Sequence, residues 1–206
     1  GLDAYPVLIM AGPKKDHEVP NPMFNHAITA VHEPDGSYLL MDATDEKTRC
    51  LLPAYLGDCS YLVAHPEGET LRDSPVVPAE ENLMRIVTRG ELTGNGALLV
   101  ASDLDFTGVN DGAYRTWLSR QQPAEYRRAF EQLVKQVSPG AELLDLTVTP
   151  ANLADTTTPL RIRLSYLASD VLIRGERETI VPLPWLGTRI GMVNFVLGRA
   201  GLEKRK

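Results

Sequence analysis

Apolar and polar positions alternate along this chain in short runs, most of them closed by proline, glycine, asparagine or aspartate. Residues 5–10 (Tyr-Pro-Val-Leu-Ile-Met) form an apolar run with a proline near its start and read as a strand. Residues 11–22 hold Gly12, Pro13, Pro20 and Pro22 among charges, the composition of a long surface loop. Residues 24–32 carry apolar side chains on both faces, as a covered strand does. Pro34-Asp35-Gly36 then supplies a turn, and residues 37–43 (Ser-Tyr-Leu-Leu-Met-Asp-Ala) return as the partner strand. Asp-Gly between two such runs is a strong hairpin signal, because glycine takes the positive φ the turn needs.

The pattern changes after residue 66. Residues 67–82 contain Gly68, Pro75 and Pro78 with several acids and read as a linker extended along a surface. Residues 83–92 and 97–106 predict a second hairpin through Thr93-Gly94-Asn95-Gly96. Leu160, Ile162, Leu164 and Tyr166 alternate with Arg161, Arg163 and Ser165, a strand with one wet face. Residues 142–149 and 177–181 add further strands. Two helices interrupt them. Tyr114, Trp117 and Leu118 follow Asp111 at helical spacing. Pro123 opens a longer helix with Tyr126, Phe130, Leu133, Val134 and Val137 on one stripe, and Gly140 lies past its end. Glu131 and Lys135 are spaced to pair on its outer face. Residues 183–206, with Pro184-Trp185-Leu186-Gly187 and an apolar run from 190 to 197, fit a last strand or a helix equally. The expected class is α+β, mainly β. It comprises an antiparallel sheet in residues 1–66, a linker at 67–82, and a β-sandwich-like domain with an inserted helical hairpin in 83–206.

Composition narrows the function. Of 206 residues 43% are hydrophobic and 23% charged, ordinary for a globular chain. A net charge of -6 argues against nucleic-acid binding, which needs clustered Lys and Arg; only the tail Lys204-Arg205-Lys206 groups them. No apolar run approaches the ~18 residues of a membrane span. The chain opens on Gly1 with no basic leader and enters a strand at once, which reads as an excised fragment. Cys50 and Cys59 match no zinc spacing and read as a disulfide or as buried thiols, with thiols the default. No cofactor and no metal are expected.

The first hairpin brings two chemical groups together. His26 sits near the start of one strand and Asp42 near the end of the next, so they fall close to opposite one another. Paired side chains on one face lie about 5 Å apart at Cβ. A carboxylate at that distance can accept the imidazole N–H, fix its tautomer and stabilise the imidazolium, the role a nucleophilic triad needs from its third member. A salt bridge or purely structural contact uses the same two residues. A metal site of His26, His32 and Asp42 is conceivable but strained, since His32 lies far along the strand at the turn. His17 and His65 are expected to face solvent, and Asn25 to be structural.

The residues around the pair form an ordered set: Ala4-Tyr-Pro-Val-Leu-Ile9, a proline-rich loop, Phe24-Asn25-His26, Asp35-Gly36, then Leu40-Met-Asp42-Ala-Thr44. Over roughly residues 1 to 63 this resembles the C-terminal half of the transglutaminase-like core. That core is a papain-related cysteine-enzyme fold, and the likeness is to a bacterial subgroup in which β-rich domains flank it. The resemblance implies that His26 is the catalytic histidine and Asp42 the catalytic acid. Ala43 stands where the family has a proline. It also implies a nucleophilic cysteine on a helix preceding the Ala-Tyr-Pro strand. Both cysteines here follow His26, and Cys59 in Gly57-Asp58-Cys59-Ser60 only superficially matches the family's cysteine neighbourhood. The chain alone is therefore expected to be inactive.

Two readings follow. In one the parent protein is a cysteine hydrolase or acyltransferase acting on amide bonds of a protein, peptide or cell-envelope substrate, with an extracytoplasmic or periplasmic location implied by the resemblance. In the other the core is a non-catalytic scaffold, and the β-rich domain binds peptide or polysaccharide partners.

Overall fold

The computed structural model describes residues 1–12, 15, 16, 18, 22–44, 46–169, 171–184, 186–188 and 190. It is α+β and mainly β, with antiparallel pairing throughout. The chain divides into two compact units, Gly1–Asn82 and the residues from Leu83 onward.

The first unit is a five-stranded sheet built from β1 (Ala4–Ile9), β2 (His26–His32), β3 (Tyr38–Met41), β4 (Ser60–Val63) and β5 (Arg72–Asp73), in the order β3-β2-β1-β4-β5. Alternation explains its core. Val7 and Ile9, Ile28 and Ala30, Leu40, and Tyr61 and Val63 are every second residue of their strands and are buried together with Leu56 and Cys59. The β2–β3 turn is closed by Gly36 N–H donating to Glu33 O, with Gly36 at φ 83°, which favours glycine. Residues 67–82 lie along this unit: β5 pairs with β4, Ser74 is buried, and Glu69 accepts the Tyr38 hydroxyl at 2.9 Å.

The second unit is a four-stranded sheet of β6 (Met84–Leu92), β7 (Leu98–Phe106), β8 (Ala141–Thr149) and β9 (Arg161–Ala168), ordered β6-β7-β9-β8. A short ribbon of β10 (Ile173–Arg174) and β11 (Thr179–Ile180) follows. The helical hairpin expected between β7 and β8 is α1 (Gly108–Ser119) and α2 (Pro123–Val137). Pro123 takes the first helical position, where its missing N–H costs nothing, and Glu125 Oε2 accepts the Gln122 N–H at 2.7 Å. The stripe ending in Phe130 and Val134 packs with Phe106, Tyr114, Leu118 and the inward residues of β7 and β9. On its outer face Glu131 reaches back to Arg127 at 3.5 Å, correcting the expected Glu131–Lys135 pair. Both arrangements are one turn long, and Arg127 takes the carboxylate here.

One buried contact pins this unit. Arg115 is fully buried and pairs with Asp111 one turn earlier, Nε to Oδ1 at 2.8 Å. Its terminal nitrogens donate to the carbonyls of Leu153, Asp155 and Thr158, and Asp111 Oδ2 accepts the Leu160 N–H at 2.7 Å. The ion pair thus satisfies the backbone of the loop between β8 and β9, which would otherwise leave orphaned carbonyls in the interior. No helix among the described residues is long and apolar enough to cross a membrane. The alternatives for residues 183–206 fall almost wholly outside the described residues, as does His17.

Candidate active site

His26 opens β2, level with Ile9 at the end of β1. Asn25 fixes that junction: its Oδ1 accepts the Ala11 N–H at 2.8 Å and its Nδ2 donates to Ala11 O at 2.9 Å. The side-chain amide thereby extends the antiparallel ladder by one rung, so Asn25 is structural, as expected. Asp42 lies just past β3, where its N–H donates to Leu51 O at 2.8 Å and so ties the strand end to the following loop.

The β2–β3 register pairs Thr29 with Met41, and continuing it places Asp42 level with Ile28. His26 is therefore two residues from a directly opposed position, which corrects the expected alignment. The turn is centred on Asp35, one residue beyond the Pro34 centre that direct opposition would need. Even spacing keeps both side chains on one face, and the long imidazole closes the diagonal. His26 Nε2 lies 2.9 Å from Asp42 Oδ2.

Four donors converge on the Asp42 carboxylate. Oδ2 accepts from His26 and from the Tyr55 hydroxyl at 3.0 Å; Oδ1 accepts the Thr44 N–H at 2.9 Å and the Thr44 hydroxyl at 2.7 Å. All four lone-pair positions are thus in use. Burial by itself pushes this carboxyl up. The hydrogen bonds from the Thr44 backbone, His26, the Thr44 hydroxyl and Tyr55 outweigh it, and the group rests below the ordinary carboxylate range. An ionised carboxylate only accepts, so Nε2 carries the proton. A neutral ring then presents Nδ1 as a lone pair. Nδ1 has no hydrogen-bond partner among the described residues. Exposure separates the roles: the Asp42 side chain is at 0% and that of His26 at 23%. A buried anion behind a partly open imidazole is an arrangement that can take a proton from a thiol or hydroxyl and hold the resulting imidazolium.

Thr44 and Tyr55 carried no assigned role in the sequence. The Asp-x-Thr spacing of Asp42 and Thr44 is a local signal for such a turn, in which an aspartate bonds backbone two residues on. Tyr55 arrives from a single 3-10 turn, Ala54–Leu56, and has no such signal.

The other candidates separate. His32 Nδ1 lies 3.1 Å from Asp3 Oδ2 at the opposite end of the sheet face, and the described residues contain no cluster able to hold a metal. His65 is half-buried against the Tyr5 ring, with centroids 4.7 Å apart, instead of facing solvent. Both cysteines are free thiols. Cys50 is exposed. Cys59 is buried in the core of the first unit, its Sγ 3.5 Å from Gly57 O and 3.7 Å from Tyr55 O. Neither thiol hydrogen-bonds to His26.

Comparison with known proteins finds no matching family model, no matching curated protein and no matching solved structure.

Proposed function

We propose that His26 and Asp42 are the base and the orienting acid of a transglutaminase-like cysteine hydrolase or acyltransferase acting on amide bonds, its thiol supplied from outside this stretch of chain. The observation that carries the reading is the buried, fully bonded Asp42 carboxylate that fixes the Nε2 proton and leaves Nδ1 open. The ordered motifs from Ala4 to Thr44 add to it.

In this mechanism His26 Nδ1 takes the thiol proton. The thiolate forms a bond to the amide carbonyl carbon, and the C–N bond breaks as imidazolium delivers its proton to the departing amine. Water or a second amine then opens the thioester, again deprotonated by His26. Asp42 acts by holding the ring and stabilising its charged form. Without a thiol beside His26 these residues do not complete the reaction alone.

A second reading has one specific support. The Thr44 and Tyr55 bonds would suffice to fix residues 42–55 as a loop, so the carboxylate fits a non-catalytic scaffold that binds peptide or polysaccharide partners. A protein that carries these residues together with the proposed thiol separates the two. On a glutamine-containing peptide the enzyme reading expects release of ammonia or amine incorporation, with His26→Ala lowering kcat by about a thousandfold or more. Turnover unaffected by His26→Ala, or no turnover on any peptide amide, defeats it.

A further inference from the structure

The face of the second sheet turned away from the helices is a lattice of arginine and aspartate. Its register lines up Arg85, Asp105, Arg161 and Thr149 across the four strands, and beside them Val87, Asp103, Arg163 and Thr147. With Arg89 these residues line a cleft of about 460 Å³. That volume falls within the roughly 300–1,000 Å³ of small-ligand sites. The lining holds four arginines against two aspartates, a positive surplus in a chain whose net charge is -6.

The two aspartates hold the guanidiniums by one edge. Asp105 Oδ1 lies 2.8 Å from Arg161 Nε, and Asp103 Oδ1 accepts Arg163 Nε–H at 2.7 Å. Asp103 Oδ2 accepts Arg89 Nη1–H at 3.3 Å. Among the described residues the Nη groups of Arg161 and Arg163 have no hydrogen-bond partner, and Arg85 has no ion pair. The side chains of Arg161 and Arg163 are 68% and 73% exposed, so those forks face water. A guanidinium steadied at Nε and open at Nη matches the two-oxygen edge of a carboxylate or phosphate. Arg161 and Arg163 are two residues apart on one strand, a step of roughly 7 Å; Arg85 stands two strands from Arg161, roughly 10 Å. No aromatic ring lines the cleft, so it offers no stacking surface for a base or a neutral sugar.

We propose that this cleft binds a ligand bearing two or more oxyanion groups, carboxylates or phosphates, bridged by Arg85, Arg161 and Arg163. The site is independent of the His26–Asp42 pair.

Calorimetric titration of the full chain at low salt tests it. The probes are inositol hexakisphosphate for phosphate, tetraglutamate for carboxylate, and sulfate as a single oxyanion. The expected result is saturable binding of one or both polyanions and far weaker binding of sulfate; the probe that binds names the source of the oxyanions. Arg85→Gln and Arg161→Gln should each weaken binding about tenfold. Arg128→Gln, which removes the same charge from an exposed position on α2, should leave it nearly unchanged. Arg85 has no ion pair to lose, so its variant tests the site even if Arg161→Gln disturbs the sheet. No saturable binding of either polyanion, sulfate binding as tightly as they do, or equal weakening by Arg128→Gln overturns the proposal.

Discussion

Tyr55 and His26 meet at a single atom: the Tyr55 hydroxyl and His26 Nε2 lie 3.0 and 2.9 Å from Asp42 Oδ2. The phenol therefore shares the work of keeping Asp42 ionised. Tyr55→Phe should raise the Asp42 pKa and cost about 1 kcal/mol of stability, since one hydrogen bond is lost and the carboxylate keeps three donors. Asp42→Ala should cost more, about 2–3 kcal/mol, because Thr44 and Tyr55 then lose a buried acceptor. Urea unfolding of the two variants gives the comparison. Equal losses would contradict convergence on the carboxylate.

The same bond fixes the ring. Nitrogen-15 NMR of the neutral form of His26 should find the proton on Nε2 and a bare Nδ1. In Asp42→Ala the preference should relax to a mixture of tautomers. A proton resident on Nδ1 in the unaltered chain would remove the proposed base.

Asp42 also links stability to acid. Its folded carboxyl lies below the ordinary range, so its stabilisation is complete above that range and is lost as pH falls through the lowered folded value. The stability difference between the unaltered chain and Asp42→Asn should accordingly be constant at neutral pH and shrink in acid. Denaturant midpoints measured at successive pH values show it; a difference that grows in acid would have the wrong sign.

In the second unit the buried Asp111–Arg115 pair holds the loop before β9. Removing one partner leaves an uncompensated interior charge, so Asp111→Ala should destabilise by about 3–5 kcal/mol. Replacing both with apolar residues of similar size should cost less than the single change. Thermal or denaturant unfolding of the three variants decides, and a double variant worse than Asp111→Ala would refute the argument.

Much of this was legible in the residues because the signals were local. Asp35-Gly36 and Thr93–Gly96 marked both hairpins, Pro123 marked the start of α2, and strict alternation at 160–166 marked the inward face of β9. The proximity of His26 and Asp42 followed from one turn and a period of two. What escaped depends on contacts distant in sequence. Tyr55 reaches Asp42 through a loop with no periodicity, and Arg115 looks like one more surface charge on α1 until the loop carbonyls close over it. The arginine lattice escaped for the same reason: the wet face of β9 is visible in sequence, but its alignment with Asp103, Asp105 and Arg85 is a matter of register.

The most direct test of the central claim is the pH dependence of iodoacetamide alkylation of the thiol proposed to work with His26, with and without His26. If His26 is its base, thiol and imidazole exist as an ion pair. Rapid alkylation should then persist well below the ordinary thiol pKa of about 8.5. His26→Ala should return the profile to that ordinary value. A profile unchanged by His26→Ala, or no thiol reactive below that range, would contradict the account.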